Sequence, residues 1–524
     1  MSKRIRTRFA PSPTGPQHIG GIRTALYNYL VAKKAGGDFI LRIEDTDSSR
    51  YVPESEEYIL EALKWAGIKP DEGIVIDQEG TWRVAETPTP SNPHGSYRQS
   101  QRKKIYYDEA LKLLLSDKAY MAFDTPEEIE KLREEYDKEG KKFSYNSQTR
   151  KNLKNSLALE KEEVDKLIAD RADWVIRFKM PEEDRIIEIH DEIRGDIKFH
   201  TNTLDDKVLW KSSDELPTYH LANVVDDHLM EITDVIRGEE WLPSLPLHIL
   251  LYEAFGWEHP RFSHLPLLLK PAEMGPGKLS KRDGEAGGFP VFPISWKSKE
   301  INVSGYREAG YFPEAFVNFL AYLGWNPGDS SEIKSMDELI RDFSIDRCQK
   351  AGARFNPKKT AWYNKEYLKT KSDDEIFSLV RPLLVWKGYG KLTNEYVMRI
   401  VKLLRNRVSF PHEIIEQGEV FLNDPTGIKI KYWNEYEEYF SDAIRFFDFI
   451  GSAKWKTVEE LRENINGYIE GLVGGWKIGV KVINCFRLFI SGNPSGPDIA
   501  ETIDILGKPV IEKRRKLIKD RYGL

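Results

Sequence analysis

Apolar positions follow two rhythms along the first part of the chain. Residues 4–9 form a β-like run that ends at Phe9. Pro11, Pro13 and Gly15 then forbid regular structure. Ile22, Ala25, Leu26, Tyr29 and Leu30 recur at helical spacing, and Gly36-Gly37 predicts where that helix stops. "DFILRIED" (38–45) reads as a second, buried strand. Strand, loop, helix and strand within about 40 residues make a βαβ unit, which requires a parallel sheet.

The rhythm then breaks. "ESEEYILEALKWAGI" (54–68) is a further amphipathic helix, and 83–102 is an irregular stretch rich in Pro, Ser and Gly. Residues 101–171 read as helical and highly charged, followed by β-like runs at 173–180 and 185–200. This section is read as an insertion, 106–204, into a domain made of 1–105 and 205–325. The sheet pattern is expected to resume near 216–238. An apolar helix follows at 245–257, and a Gly-Pro-Lys-rich loop at 269–290. Helical patterns dominate after about residue 310. The segments 83–96 and 289–305 have no role in this reading.

The bulk numbers narrow the class. A chain of 524 residues is too long for one core. Its 40% apolar and 31% charged composition is that of a soluble globular protein. No apolar run nears the roughly 20 residues that span a bilayer, so no membrane association is expected. No apolar signal core follows the basic N-terminus. Two distant cysteines, Cys348 and Cys485, make neither a zinc cluster nor a disulfide framework, which fits a reducing cytoplasm. The net charge of −6 does not announce a nucleic-acid binder, but 141–156 holds five Lys and Arg without an acid, and 508–524 is also basic. An acidic body with local basic patches suits an enzyme that docks one polyanion in one orientation.

Two elements carry candidate chemistry. His18, Gly20 and Gly21 stand where the first strand hands over to a helix, a place that favours phosphate. "GKLSKRDG" (277–284) packs Lys278, Lys281 and Arg282 between glycines, in a loop able to close on a polyphosphate. Together they are far more specific than either alone.

"RFAPSPTGPQHIGGIRTALYN", "RIEDTD", "PTYHLANVVDDHLMEITDVIRGEEW" and "KLSKRDG" occur in this order. The sequence resembles the class I aminoacyl-tRNA synthetases, and closely the bacterial glutamyl branch, from about residue 4 to 370 and more loosely beyond. The resemblance implies an α/β Rossmann-like catalytic domain, an inserted α+β domain that binds the tRNA acceptor end, and all-α C-terminal domains. The first of these, 326–375, would touch the stem and the second, 376–524, would read the anticodon. It implies a ligase that forms glutamyl-adenylate from ATP and then charges tRNA(Glu), with tRNA(Gln) left open as a second acceptor. It places His18 and Lys281 as catalytic groups. Gly20, Gly21, Glu240, Lys278 and Ser280 join them around ATP. Arg8, Ser12, Glu44, Tyr219, Asn223 and Arg237 would line the glutamate pocket. ATP is expected as substrate with magnesium, in a cytoplasmic monomer.

Residue chemistry agrees with those placements. Arginines can fork onto carboxylate, Tyr219 can donate a hydroxyl, and Glu44 can hold an ammonium. Gly21 replaces the second histidine of the class-wide "HIGH" element. Ala122 and Asp124 stand where some relatives carry zinc-binding cysteines, so no structural zinc is expected. Asp226, Asp227 and His228 lie in a segment read as strand-like, pointing to opposite faces, and no metal is expected there either. Glutaminyl-tRNA synthetase, a glutamyl transferase acting on a modified tRNA base, and a small-molecule nucleotidyltransferase are the competing readings.

Overall fold

A computed structural model describes residues 3–170, 173–298 and 302–523. Expectations that touch residues 171, 299–301 and 524 fall outside the described residues. The chain divides into two compact units, Met1–Ala309 with Pro313–Thr360, and Gly310–Phe312 with Ala361–Leu524.

The first unit is organised by a six-stranded sheet. β1 (Arg6–Phe9) leads through the Pro-Gly loop into α1 (Ile19–Lys34), and β2 (Asp38–Leu41) follows. β3 (Ile186–Asp191) and β4 (Gly195–His200) form a hairpin, and β5 (Asp234–Gly238) and β6 (Arg261–Leu265) complete the sheet. The order is β2-β1-β5-β6-β3-β4, parallel throughout except for the β3–β4 hairpin. β1 is buried along its whole length, as a strand covered on both faces must be. α1 buries the expected face, with Ile22, Ala25, Leu26 and Leu30 fully enclosed. Each of the Ile and Leu side chains contributes about 1.5–3 kcal/mol by burial. The helix stops at Gly36, whose φ of +62° suits glycine. A β-carbon on Gly37 would lie 2.0 Å from the Ile5 carbonyl oxygen, so the chain can turn back beside β1 only without a side chain there. From β1 the chain passes to β2 on one side and to β5 on the other. Sheets of this kind bind ligands at such a reversal, beyond the carboxyl ends of the strands.

Three expectations need correction. The hairpin 186–200 falls within the expected insertion, yet it pairs with the main sheet through Phe262 and Asp191. Its alternating burial marks an edge hairpin and carries no information about which sheet it joins. Conversely, Val208–Lys211 and Leu216–Pro217 were assigned to the catalytic half. They join Val175–Phe178 and Ala119–Ala122 in a separate four-stranded antiparallel sheet. Lastly, residues 216–238 are not one strand-like stretch. Tyr219–Leu229 is a helix, α2. Its Leu-Ala-Asn-Val-Val core is a short apolar run, which periodicity cannot sort between helix and strand.

The two segments without a role are structural. Arg6 forks onto Glu72 at 2.7 and 3.1 Å, Tyr97 donates to the same carboxylate at 2.7 Å, and Asn92 accepts from Gly73 N at 2.7 Å. These bonds tie Asn92 and Tyr97, through Gly73 and Glu72, to Arg6 on β1. In 289–305, Trp296 packs edge-on to Tyr58, whose hydroxyl donates to the Ile294 carbonyl oxygen at 2.7 Å.

The second unit is helical, with Asp373–Trp386, Asn394–Leu404, Phe440–Ser452, Val458–Glu470, Gly475–Ser491 and Ile499–Tyr522 as its main helices. Phe440, Phe446, Phe447, Phe486 and Phe489 build its core. Among the described residues, no helix is long and apolar enough to cross a membrane.

Candidate active site

Three stretches converge beyond the carboxyl ends of β1 and β5. The first is the start of α1. His18 caps the helix by accepting from Gly20 N at Nδ1, 3.2 Å away. Accepting there puts the ring proton on Nε2. Nε2 is buried and has no hydrogen-bond partner among the described residues. Burial, with Lys278 and Arg23 nearby, pushes the His18 pKa down to about 4, so the ring is neutral at pH 7 and presents one free N–H. A β-carbon on Gly20 would meet only ordinary contacts, so protein packing does not demand glycine there. At Gly21 it would lie 2.5 Å from the end of the Gln17 side chain.

The second stretch is the basic loop. Leu279 N bonds the Leu268 carbonyl oxygen at 2.7 Å and Lys270 N bonds that of Gly277 at 3.1 Å, folding 268–279 back on itself. Ser280 and Asp283 then cap α3 (Lys281–Gly287) reciprocally. Ser280 and Lys270 hold the Asp283 carboxyl below the usual range. Lys278 lies 3.5 Å from Glu240, and Lys281 3.9 Å from Glu285. Glu240 folds back over Gly238, where a β-carbon would sit 2.2 Å from its Oε2.

The third stretch is the polar pocket. Arg8 on β1 and Arg237 on β5 are both buried, yet they differ in partners. Arg8 forks onto Asp227 at 3.1–3.3 Å. Arg42, fully buried, donates to Asp227 at 2.8 Å and to Glu44 at 3.1 Å, and lies 3.7 Å from Asp226. Asp226 also takes Arg102, Gln99 and Tyr106 at 2.7–2.9 Å. Burial opposes the Asp227 charge, but Arg8 and Arg42 outweigh it and hold that carboxyl low. Asn223 donates to Glu44 at 3.3 Å. Burial pushes the Glu44 carboxyl up against the pull of Arg42 and Arg8. Arg237 donates to the Tyr219 hydroxyl at 3.0 Å and to two imidazoles, His264 and His248, at 3.0 and 3.3 Å. Among the described residues it forms no ion pair with a carboxylate. Tyr219 stacks on Trp241 with ring centroids 4.2 Å apart.

Of the sequence-derived residues, Glu44, Tyr219, Asn223, Arg8 and Arg237 are therefore brought together, while Ser12 is exposed in the loop after β1. The reading of Asp226, Asp227 and His228 as facing opposite sides fails because they lie on α2. Successive helical residues stand about 100° apart, so both acids can turn inward. His228 turns out instead and stacks on Trp257 at 3.8 Å. Sequence reasoning missed Arg42, Asp191, His248 and His264. The available signal was ionisable residues inside otherwise apolar runs, such as Arg42 in "FILRIE", where each needs a buried partner.

Comparison with known proteins identifies the family. Residues 4–362 match the family model of the catalytic domain of class I tRNA synthetases (E and Q), and 375–517 match an anticodon-binding domain. The glutamate–tRNA ligases of Bacteroides fragilis and Porphyromonas gingivalis are 50% and 47% identical, over 98% and 97% of each chain. A crystal structure of a glutamate tRNA ligase from Elizabethkingia meningosepticum, in complex with its amino acid, superposes with a TM-score of 0.90 at 46% identity. It covers 99% of this chain and 100% of that one. Sequence and fold place this chain in the glutamate–tRNA ligase family of class I synthetases.

Proposed function

We propose that the chain attaches L-glutamate to tRNA(Glu) in two steps at the cleft between β1 and β5, and that the residues gathered there divide the work. The glutamate α-carboxylate attacks the α-phosphorus of Mg–ATP, and pyrophosphate leaves. A hydroxyl of the terminal ribose of tRNA then attacks the glutamyl carbonyl, and AMP leaves. No covalent enzyme intermediate is involved, so the protein contributes positioning and charge stabilisation.

One observation carries the reading: a buried guanidinium, Arg237, beside a tyrosine hydroxyl and free of any carboxylate among the described residues. A buried cation without an anion is costly, and a substrate carboxylate would complete it. In this assignment Arg237 and Tyr219 take the side-chain carboxylate. Glu44 takes the ammonium, Arg8 and Asn223 shape the floor, and Ser12 borders the mouth. His18 Nε2–H meets a phosphate oxygen of ATP. Gly20 and Gly21 leave room for the nucleotide, and Glu240 lies on its adenosine side. Lys278, Ser280 and Lys281 belong to the loop that meets the phosphates, with Lys281 released from its weak 3.9 Å pairing.

The four-stranded insertion is assigned to the acceptor end of tRNA, residues 326–375 to its stem, and 376–524 to the anticodon. The enzyme is assigned to the cytoplasm as a monomer. Charging of purified tRNA(Glu) and tRNA(Gln) with labelled glutamate tests this directly. Glutamyl-tRNA(Glu) is the expected product. Pyrophosphate exchange without any charged tRNA would instead point to a small-molecule nucleotidyltransferase.

A further inference from the structure

Arg237 is held in place by neutral groups, and the hydrogen bonds fix which atoms carry protons. Its Nε–H donates to His264 Nε2 at 3.0 Å. An arginine has no acceptor, so His264 Nε2 must be the bare nitrogen. The proton then sits on Nδ1 and is donated to Asp191 Oδ2 at 2.6 Å. Asp191 is itself fixed, because its oxygens accept from the backbone N–H groups of Ile193, Arg194 and His264 at 2.8–3.1 Å. Both side chains are fully buried. Arg237 Nη1 reaches His248 Nδ1 at 3.3 Å, and by the same rule His248 Nε2–H donates to His220 Nδ1 at 3.2 Å. Among the described residues, Nη2 has only a 3.5 Å contact with the Trp241 carbonyl oxygen, which leaves that end of the guanidinium for a ligand.

The arrangement has a physical purpose. A carboxylate placed directly on Arg237 would hold it still but cancel its charge, as Asp227 does for Arg8. A neutral imidazole fixes the direction of the guanidinium and leaves the charge in place. Asp191, one ring farther away, fixes the tautomer that makes His264 an acceptor.

We propose that Asp191 and His264 are positioning residues for amino-acid selection: they lock the acceptor tautomer that aims Arg237 Nη2 at the side-chain carboxylate of glutamate. This rests on the reading that Arg237 meets that carboxylate.

The test compares two amide replacements. The amide of His264→Gln reaches roughly where Nε2 sits and can still accept from Arg237, whereas that of His264→Asn stops near Nδ1. Amino-acid-dependent pyrophosphate exchange is measured with tRNA present, for glutamate and glutamine, alongside thermal unfolding. His264→Asn should raise the glutamate KM about tenfold or more, with kcat and the ATP KM within about twofold. It should also narrow the preference over glutamine. His264→Gln should return the glutamate KM to within about threefold of wild type. Asp191→Asn lets the tautomer flip, setting Nε2–H against Nε–H of Arg237, and should behave like His264→Asn. It replaces that variant in the comparison should His264→Asn fail to fold. Equal glutamate KM values in the Gln and Asn variants would overturn the proposal. Arg237→Ala separates the two readings. If it leaves glutamate KM and preference unchanged, the pocket assignment falls and this proposal with it. If it raises KM while Asp191→Asn and His264→Asn do not, only the positioning role falls.

Discussion

Arg8 and Arg237 stand on neighbouring strands of one sheet, both buried, and face opposite situations. Arg8 belongs to a closed set with Arg42, Arg102, Asp226, Asp227 and Glu44, in which every guanidinium has a carboxylate. Arg237 belongs to an open set of Tyr219, His248 and His264, in which it is the cation and, among the described residues, has no carboxylate partner. A compensated network is mainly architecture: Asp227 and Arg42 fix strand ends and α2, and of its members Glu44 is the one left to meet a substrate ammonium. An uncompensated charge of the same chemical type is a receptor. Residue type alone cannot make this distinction; the identity of the partners does.

The largest expected effect lies in the closed set. Asp227→Ala strands Arg8 and Arg42 without their shared anion and should cost about 3–5 kcal/mol, the range for breaking a buried ion pair. Denaturant unfolding measures it, and a loss below about 1 kcal/mol would dissolve the contrast between the two arginines. Next comes the phosphate end. Lys281→Ala should slow adenylate formation about a hundredfold, or about 3 kcal/mol, because a positioned cation acts mainly in the transition state. Glutamate KM should barely change, and a normal kcat with a raised glutamate KM would remove Lys281 from that role.

The neutral imidazoles give a pH signature. His18 and His220 are held at about 4 in the fold, chiefly by burial, against 6.5 when free. The unfolded chain therefore binds protons more readily between those values. Stability contributed by these rings is complete above pH 6.5 and falls as pH drops toward about 4. Melting temperature followed from pH 7.5 to 4.5, in wild type and His220→Gln, should show a shallower acid fall in the variant. The smallest effect is at His228, next to Asp227 in sequence yet outside the network. His228→Ala should lose about 0.5–1.5 kcal/mol of stacking on Trp257 and leave charging unchanged.

How much of this was legible in the sequence follows the same division. The βαβ start, α1 and its glycine stop could be read because periodicity and local turn chemistry determine them. Grouping Glu44, Asn223, Tyr219 and Arg237 depended on resemblance, since these residues lie up to 193 positions apart. The hairpin 186–200 and the strands near 208–217 were exchanged between sheets, because strand pairing is a tertiary choice that alternation does not encode. Helix α2 is not legible in the sequence, because its apolar run is too short for periodicity to tell helix from strand. His248 and His264 stand out in the sequence only as ionisable groups within apolar runs, since a lone histidine there shows neither its partner nor its tautomer.

The central claim is that the uncompensated charge on Arg237 selects glutamate. Pyrophosphate exchange driven by glutamate and by glutamine, in wild type and Arg237→Ala with tRNA present, tests it most directly when paired with thermal unfolding of both proteins. The account predicts that the preference for glutamate collapses by about 2–5 kcal/mol, the range for leaving a buried charge unmatched. It also predicts that Arg237→Ala folds as stably as wild type or better, since an unpaired buried cation has been removed. An unchanged preference in the variant would contradict it.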